Sequence, residues 1–175
     1  MKMKKNDFHI RPAASDDFMV FAEIYRRAWS AAYSGLLPDD AIRQVNSGRE
    51  NACRQMLSNS FTGWHFLALS GDTSIGILSL CKYRDEDRPA YGEIRSIYLL
   101  PEYWHQGYGG YLLAFAVREL FSYGFERIVL WVLLNNIRAR RFYEANSFKH
   151  DGTTKMVSIG TPQKELRYQY CSSFK

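Results

Sequence analysis

The sequence predicts an α/β fold of the α+β type, in which a mixed, mostly antiparallel sheet of about seven strands is flanked by about four helices. Strand-like and helix-like segments follow one another as one strand, two helices, three strands, a helix, a strand, a helix and two strands. The one clear strand–helix–strand crossover, over residues 93–133, predicts two parallel strands in this otherwise antiparallel sheet. No linker interrupts the 175 residues, so we expect a single domain over residues 1–175.

The first third of the chain is predicted to hold one short strand and two helices. The strand covers residues 8–10, and apolar residues at helical spacing predict a helix over about 16–30 with Ser15 as its N-cap. Pro38 suits the first turn of the second helix, and Gly48 is a point at which that helix can divide.

The rest of the chain alternates between strand and helix periodicity. Gly124 follows the longest helical pattern, in the position where a left-handed C-terminal cap is expected. Residues 127–133 are almost continuously apolar, which is typical of a strand covered on both faces. Strands are predicted over 64–69, 75–83, 93–100, 127–133, 148–158 and 164–171, and helices over 109–123 and 137–145.

Composition excludes several classes of protein. The net charge of +5 favours anionic partners without choosing among nucleic acid, a phosphorylated cofactor and a membrane surface, but no basic stretch interleaved with aromatics supports nucleic acid. The longest apolar run, residues 128–134, is too short to span a bilayer, and no apolar stretch follows the basic start. Cys53, Cys81 and Cys171 lack metal-ligand spacing, so we expect reduced thiols, no metal and a cytoplasmic location.

A glycine-rich loop connects the strand ending near Leu100 to the helix over 109–123. Gly107, Gly109 and Gly110 would let a ligand approach the backbone, and the free amides at the helix start form an anion site. A phosphate or pyrophosphate is the natural ligand. The loop lacks both the Lys of a nucleotide P-loop and the third glycine of a dinucleotide fingerprint, and a simple connecting turn stays open as the alternative.

A second informative segment begins where the apolar strand ends at two asparagines and a short basic helix follows. Together the two segments resemble the GNAT superfamily of acyl-CoA-dependent N-acetyltransferases. The phosphate loop of that family, which reads Gln or Arg, two residues, Gly, one residue, and Gly or Ala, matches residues 104–109. Its Asn-x-x-Ala-x-x-Phe-Tyr block matches residues 136–143.

Two positions depart from the family pattern. Trp104 stands where the family has Gln or Arg, and we expect its ring to pack beside the cofactor. Ser147 stands where the family has a glycine before Phe148, and we expect Asn146 to adopt the left-handed conformation in its place.

The resemblance implies that acetyl-CoA is the co-substrate and lies between two parallel strands that splay apart. The backbone of the first of these strands would bind the pantetheine arm, and Asn136 would bind that arm or stabilise the turn beside it. Within the cluster of Arg138, Arg140 and Arg141, Arg138 would attract a CoA phosphate. Loop amides would hold the pyrophosphate. The cofactor-binding residues so assigned are Ile97, Tyr98, Leu99, Trp104, His105, Gln106, Gly107, Tyr108, Gly109, Gly110, Asn136 and Arg138.

The resemblance also implies direct attack of a primary amine on the thioester, without metal. An alkylamine has a pKa of about 10.4 and must lose its proton, and Glu93 is the candidate general base, acting directly or through water. Tyr143 is the candidate acid that protonates the departing sulfur. Each of the two residues also has an ordinary structural interpretation, as an exposed carboxylate and as a core aromatic residue.

The acceptor is the least specified part of the prediction. Trp29, Tyr33 and Tyr83 are candidates for an aromatic acceptor surface, and the acidic residues 85–87 could attract a cationic amine. A small-molecule amine is the expected acceptor. A protein N-terminal or lysine acetyltransferase and a non-catalytic acyl-CoA-binding sensor are the alternatives, and a homodimer is the expected assembly because similar proteins commonly dimerise.

Overall fold

The computed structural model describes residues 7–59, 63–83 and 90–171, and it confirms the predicted order of strands and helices. The strands are β1 (Phe8–Pro12), β2 (Trp64–Ser70), β3 (Thr73–Lys82), β4 (Tyr91–Leu99), β5 (Arg127–Leu133), β6 (Phe148–Ile159) and β7 (Thr161–Tyr170). The helices are α1 (Phe18–Tyr33), α2 (Asp39–Ser47), α3 (Arg49–Ser58), α4 (Tyr108–Ser122) and α5 (Ile137–Ala145), with short 3₁₀ turns at Ser15–Asp17 and Pro101–Tyr103. There are five α-helices in these ranges because Gly48 divides the second predicted helix.

The start of α1 differs from the prediction. Ser15 does not cap the helix but begins a 3₁₀ turn, and the carboxylate of Asp17 accepts a hydrogen bond from the Ala14 amide at 2.7 Å instead. Asp17 also pairs with Arg11, at 2.6 Å. The helix continues to Tyr33, about one turn beyond the predicted end, so Tyr33 is held by helical backbone rather than by a loop.

The sheet is mixed, and its single parallel contact opens into a fork. The strand order is β1-β2-β3-β4-β5-β7-β6, and every neighbouring pair is antiparallel except β4 and β5. These two strands pair only from Tyr91 to Glu93, although β4 continues to Leu99 and β5 to Leu133. The two strands therefore separate toward their carboxyl ends, as the family resemblance implies.

Helices cover the two faces of the sheet. On one face, Leu112, Leu113 and Leu120 of α4 pack with the sheet residues Phe148 and Tyr168, and all five side chains are almost completely buried. On the other face, α1 and α3 cover strands β2 and β3. We call these the α4 face and the α1 face.

The turn between β6 and β7 closes against the start of α2 on the α1 face. A Cβ atom at Gly160 would lie 2.5 Å from the Cβ atom of Ala41, so the two backbones are in close contact. Val157 and Ile159 of β6 pack on a cluster that contains Trp29 and Leu37. This contact walls the α1 face of the fork.

Candidate functional site

The fork between β4 and β5 contains a cavity of about 940 Å³. Its walls come from five parts of the described chain: the end of α1, the carboxyl half of β4, the loop before α4 with the first turn of that helix, β5, and α5. The cavity therefore unites the two sequence segments that resemble the GNAT motifs.

The loop before α4 has the backbone geometry of an anion-binding helix start. Gly107 is the N-cap of α4 with φ of 94°, and His105 also has a positive φ, of 59°. A side chain at Gly109 would approach the Phe142 ring to 3.2 Å, so glycine there allows α5 to pack on the first turn of α4. His105, Gly107, Gly109 and Gly110 line the cavity.

The side chains of Gln106 and Tyr108 lie away from the cavity. Gln106 Nε2 donates a hydrogen bond to the Glu102 carbonyl at 2.6 Å, and the Tyr108 ring is buried, with its hydroxyl 3.3 Å from the Ser70 hydroxyl. For these two residues, only the backbone amide is left to serve the predicted phosphate-binding role.

Trp104 packs on an arginine rather than standing alone. Its indole Nε1 donates a hydrogen bond to the Leu99 carbonyl at 2.8 Å, and the Arg138 guanidinium carbon lies 3.9 Å from the ring centroid. Partial burial lowers the pKa of Arg138, which nevertheless stays charged at neutral pH because arginine titrates far above it. Arg138 of α5 thus places a positive charge beside the loop position at which the family motif has Gln or Arg.

The three arginines of α5 have different surroundings. Arg140 donates hydrogen bonds to the Tyr168 hydroxyl at 3.1 Å and to the Leu134 carbonyl at 3.0 Å, so it stabilises the fold. Arg138 and Arg141 line the cavity. Of the predicted cluster, two side chains are therefore positioned to meet a phosphate.

Asn136 stabilises the turn between β5 and α5. It is the N-cap of α5, its Oδ1 accepts a hydrogen bond from the Ala139 amide at 3.1 Å, and only 5% of its surface is exposed. It also lines the cavity.

The expectation that Asn146 adopts the left-handed conformation is wrong. Asn146 has φ of −112°, and its side-chain amide donates to the Phe142 carbonyl at 2.7 Å. Ser147 itself has φ of 67°. The left-handed residue thus stays at the family's glycine position, although a serine occupies it.

Tyr143 contributes its ring to the cavity wall. It packs against Phe142 and Phe148, with ring centroids 5.3 and 6.1 Å away. Burial, together with the nearby phenol of Tyr33, raises the pKa of Tyr143, so its hydroxyl is protonated at neutral pH. Tyr33 and Tyr98 also line the cavity, and burial raises the pKa of both.

Glu93 lies deeper than the prediction of an exposed strand-end carboxylate implies. It is 2% exposed and is the last β4 residue that pairs with β5. The cavity wall formed by β4 runs from Ile94 to Leu99 and does not include it. Glu93 therefore does not meet a cavity ligand directly.

Of the predicted aromatic acceptor surface, the structure brings only Tyr33 to the cavity. Trp29 is 6% exposed and packs in the core between α1 and α2. Tyr83 is 4% exposed, and its hydroxyl accepts a hydrogen bond from Arg167 Nη1 at 2.9 Å. The acidic residues 85–87 lie outside the described residues.

Among the cavity-lining side chains that sequence reasoning missed are Arg95 and Trp131. Trp131 projects from β5 beside the fork, with Lys155 Nζ 4.0 Å from its ring centroid. Arg95 is the extra residue of a β-bulge, since the pairing of β3 with β4 shifts between Ser79 and Leu80. Nothing in the local sequence announces this bulge. Residues 127–133 are almost continuously apolar, so no alternation in β5 singles out Trp131 either.

The model of the acetyltransferase (GNAT) family matches residues 20–148. The chain belongs to this family. A probable N-acetyltransferase of Mycobacterium tuberculosis is 30% identical over 156 residues, which span 87% of this chain and 86% of that protein. A spermidine N(1)-acetyltransferase of Thermoplasma acidophilum is 26% identical over 153 residues, 82% of this chain and 89% of that protein.

Solved structures show the same fold. The PaiA N-acetyltransferase of Thermoplasma acidophilum, solved in complex with coenzyme A, superimposes with a TM-score of 0.77 at 21% identity, covering 94% of this chain and 99% of that one. This chain therefore has the fold of that acetyltransferase. Across residues 7–59, 63–83 and 90–171, the helices are all too short or too polar to cross a membrane.

Proposed function

We propose that this GNAT enzyme transfers an acetyl group from acetyl-CoA to a primary amine of a small molecule, within a ternary complex. One observation carries the proposal: a single cavity of about 940 Å³ is lined by the glycine loop, by the Trp104–Arg138 pair and by Tyr143. A protonated hydroxyl and a phosphate-binding loop thus face the same space.

The residues at the fork fit acetyl-CoA. Glycines at positions 107, 109 and 110 leave the amides at the start of α4 accessible, and the helix dipole favours a pyrophosphate there. Arg138 and Arg141 supply positive charge beside these amides. The part of β4 that does not pair with β5 offers backbone groups from Ile97 to Leu99 to an amide-containing arm.

When bound, acetyl-CoA supplies the thioester that the amine attacks. Tyr143 holds a proton on its hydroxyl at neutral pH and gives it to the sulfur as the carbon–sulfur bond breaks. Glu93 accepts the amine proton through water, because its buried carboxylate lies outside the cavity wall. The amine nitrogen would add to the thioester carbonyl carbon, and the carbon–sulfur bond would then break. The amine proton would pass to Glu93 and the Tyr143 proton to the sulfur, so the products are an amide and the CoA thiol, without a covalent enzyme intermediate.

A small acceptor is favoured over a protein segment because the α1 face of the fork is walled. The turn at Gly160 packs against Ala41, and Tyr33 lines the cavity from the end of α1. An extended peptide would need an open groove at this position. The 26% identical relative named as a spermidine acetyltransferase supports a small-molecule acceptor.

The first experiment is a calorimetric titration with acetyl-CoA, with ATP and NAD as controls. We expect selective micromolar binding of acetyl-CoA. A panel of amines is then assayed by release of the CoA thiol, and turnover with any amine excludes a non-catalytic sensor. Failure of acetyl-CoA to bind would overturn the proposal, and size-exclusion chromatography of the same sample tests the expected homodimer.

A further inference from the structure

Arg95 lies near the point at which the fork begins to open. The pairing of β3 with β4 shifts by one residue between Ser79 and Leu80, so Arg95 has no partner in β3. A bulge of this kind redirects the side chain of the unpaired residue. Glu93, two positions earlier, is the last β4 residue that pairs with β5. The bulge therefore places Arg95 just beyond the point of separation, where it lines the cavity.

The charge of Arg95 acts on the α1 face of the sheet. Ile94 and Ile97, on either side of it, pack in the core under α4. Burial and then the positive charge of Arg95 lower the pKa of His65, whose ring lies 6.3 Å from that of Phe21 in α1. The helix start that we assign to the pyrophosphate belongs to α4, so Arg95 meets the cavity on the opposite side of the sheet from the phosphate-binding end.

Within the described residues, this part of the wall holds positive charge without an opposing carboxylate. Among the described residues, no Asp or Glu lines the cavity, and its other two arginines, Arg138 and Arg141, belong to α5 at the cofactor end. Arg95 forms no ion pair with any described carboxylate. The nearby carboxylate of Glu165, on the α1 face, pairs with Lys155, whose Nζ atom lies 3.6 Å away, rather than with Arg95.

A guanidinium in this position selects the charge of the acceptor. Its planar donors match a carboxylate with two parallel hydrogen bonds, and such pairs are stronger than those between neutral groups. A polyamine would instead bring a second ammonium group toward a like charge, which is unfavourable. Tyr33, Tyr98 and Trp131 supply an aromatic wall for the rest of the molecule.

We propose that the acceptor is an amino acid, a primary amine with a carboxylate a few atoms from the nitrogen, and that Arg95 binds this carboxylate. The inference rests on the proposed acetyltransferase function and deepens it by naming the substrate class. Arg95 would then orient the amine toward the carbonyl carbon of the thioester, which the nitrogen attacks.

The test compares matched pairs of acceptors on the purified protein. The common α-amino acids and β-alanine are assayed beside their amides, which lack only the negative charge, and beside spermidine. We expect kcat/KM to be at least about tenfold higher for the best amino acid than for its amide, and spermidine to be a poorer acceptor than that amino acid.

Variants at position 95 decide whether this arginine is responsible. In Arg95→Gln the ratio of acid to amide falls toward one, and Arg95→Lys retains part of it because the charge stays while the planar fork is lost. Arg118→Gln, on the exposed side of α4, is the matched control and leaves the ratio as in wild type. An unchanged Kd for acetyl-CoA shows that Arg95→Gln is folded.

The outcomes separate this inference from the proposed function. Three outcomes would overturn the carboxylate site and leave the family function standing. The amides or spermidine could have a kcat/KM equal to that of the acids, or the preference for the acids could survive in Arg95→Gln. Acetyl-CoA could also bind while no amino acid is acetylated. If acetyl-CoA does not bind and no amine releases thiol, the proposed function fails and this inference fails with it.

Discussion

Tyr143 lines the cavity, and its hydroxyl remains protonated at neutral pH because burial raises its pKa. Both conditions are needed for a proton donor to a departing thiolate. Neither condition can be derived from the Asn-x-x-Ala-x-x-Phe-Tyr block alone, since a tyrosine on a short helix is usually a core residue. The place of Tyr143 on the cavity wall supports the proposed role as an acid.

Tyr143→Phe is therefore expected to lower kcat by at least about 100-fold, the usual range for loss of a general acid. The Kd for acetyl-CoA should stay within about twofold of wild type, because the ring is retained. Tyr170→Phe is the matched control: its ring also packs on Phe148, at 5.3 Å, but does not line the cavity. Equal losses in steady-state kcat for the two variants would contradict the role of Tyr143.

Trp104 and Arg138 are expected to act as one unit in cofactor binding. A cation–π contact contributes about 0.5–2 kcal/mol, so Trp104→Leu and Arg138→Gln should each weaken acetyl-CoA binding by about 2- to 30-fold. Calorimetric Kd values for the double variant should show less than additive loss, because the tryptophan acts through the arginine. Arg141→Gln, which also lines the cavity, should combine additively with Trp104→Leu; a non-additive result there would count against a specific pair.

At the scale of single elements, the junction between α5 and β6 is the strained point. Ser147 has φ of 67°, a conformation in which a side chain costs energy and glycine does not. The Cys171 amide donates to the Ser147 carbonyl at 2.7 Å, which ties this conformation to the end of β7. The sequence shows the missing glycine but not which neighbour adopts its geometry.

Ser147→Gly should stabilise the protein by about 0.5–1 kcal/mol, because relief of strain exceeds the extra entropy of glycine in the unfolded chain. Thermal unfolding followed by circular dichroism should show a rise in Tm of about 2 °C for a chain of this length. Ser34→Gly is the matched control, since Ser34 has an ordinary φ of −54° and gains only unfolded-state entropy. We expect Ser34→Gly to lower the Tm. A change in Tm of the same sign in both variants would refute the argument.

Most element boundaries follow from local pattern, and the exceptions have physical causes. The β5 and α5 ranges agree with the prediction to the residue, because a buried strand and an asparagine cap are local features. The N-cap at Ser15 failed because Asp17 accepts from the Ala14 amide while pairing with Arg11 of β1. That pairing depends on a contact between two elements.

At the scale of the whole molecule, the buried histidine His65 in the sheet makes the stability of the protein depend on pH. It is 9% exposed in β2, with its Nδ1 atom 3.0 Å from the Ser79 hydroxyl. Burial, and to a lesser extent the charge of Arg95, lowers its pKa from 6.5 to about 4. The unfolded chain therefore takes up a proton at a higher pH than the folded protein.

The free energy of unfolding should accordingly be at its full value above pH 6.5 and fall as the pH decreases from 6.5 toward 4, by about 3 kcal/mol from this group. Denaturant unfolding at a series of pH values measures the loss. His65→Gln keeps a polar partner for Ser79 but does not titrate. Between pH 6.5 and 4, the free energy of unfolding of this variant should therefore fall by about 3 kcal/mol less than that of the wild type. The same slope in the variant would exclude His65 as the cause.

The sequence by itself determined the family, the order of elements, the parallel pair in the sheet, the phosphate loop and Tyr143 as a candidate acid. These depend on residue types at short, fixed spacings. Only the tertiary structure decided that Glu93 is enclosed beside the fork, that Trp29 and Tyr83 lie in the core, that Trp104 holds Arg138, and that Arg95 enters the cavity. Each of these depends on strand register or on contacts between segments distant in the chain, and a one-residue shift in register changes the face to which a side chain points.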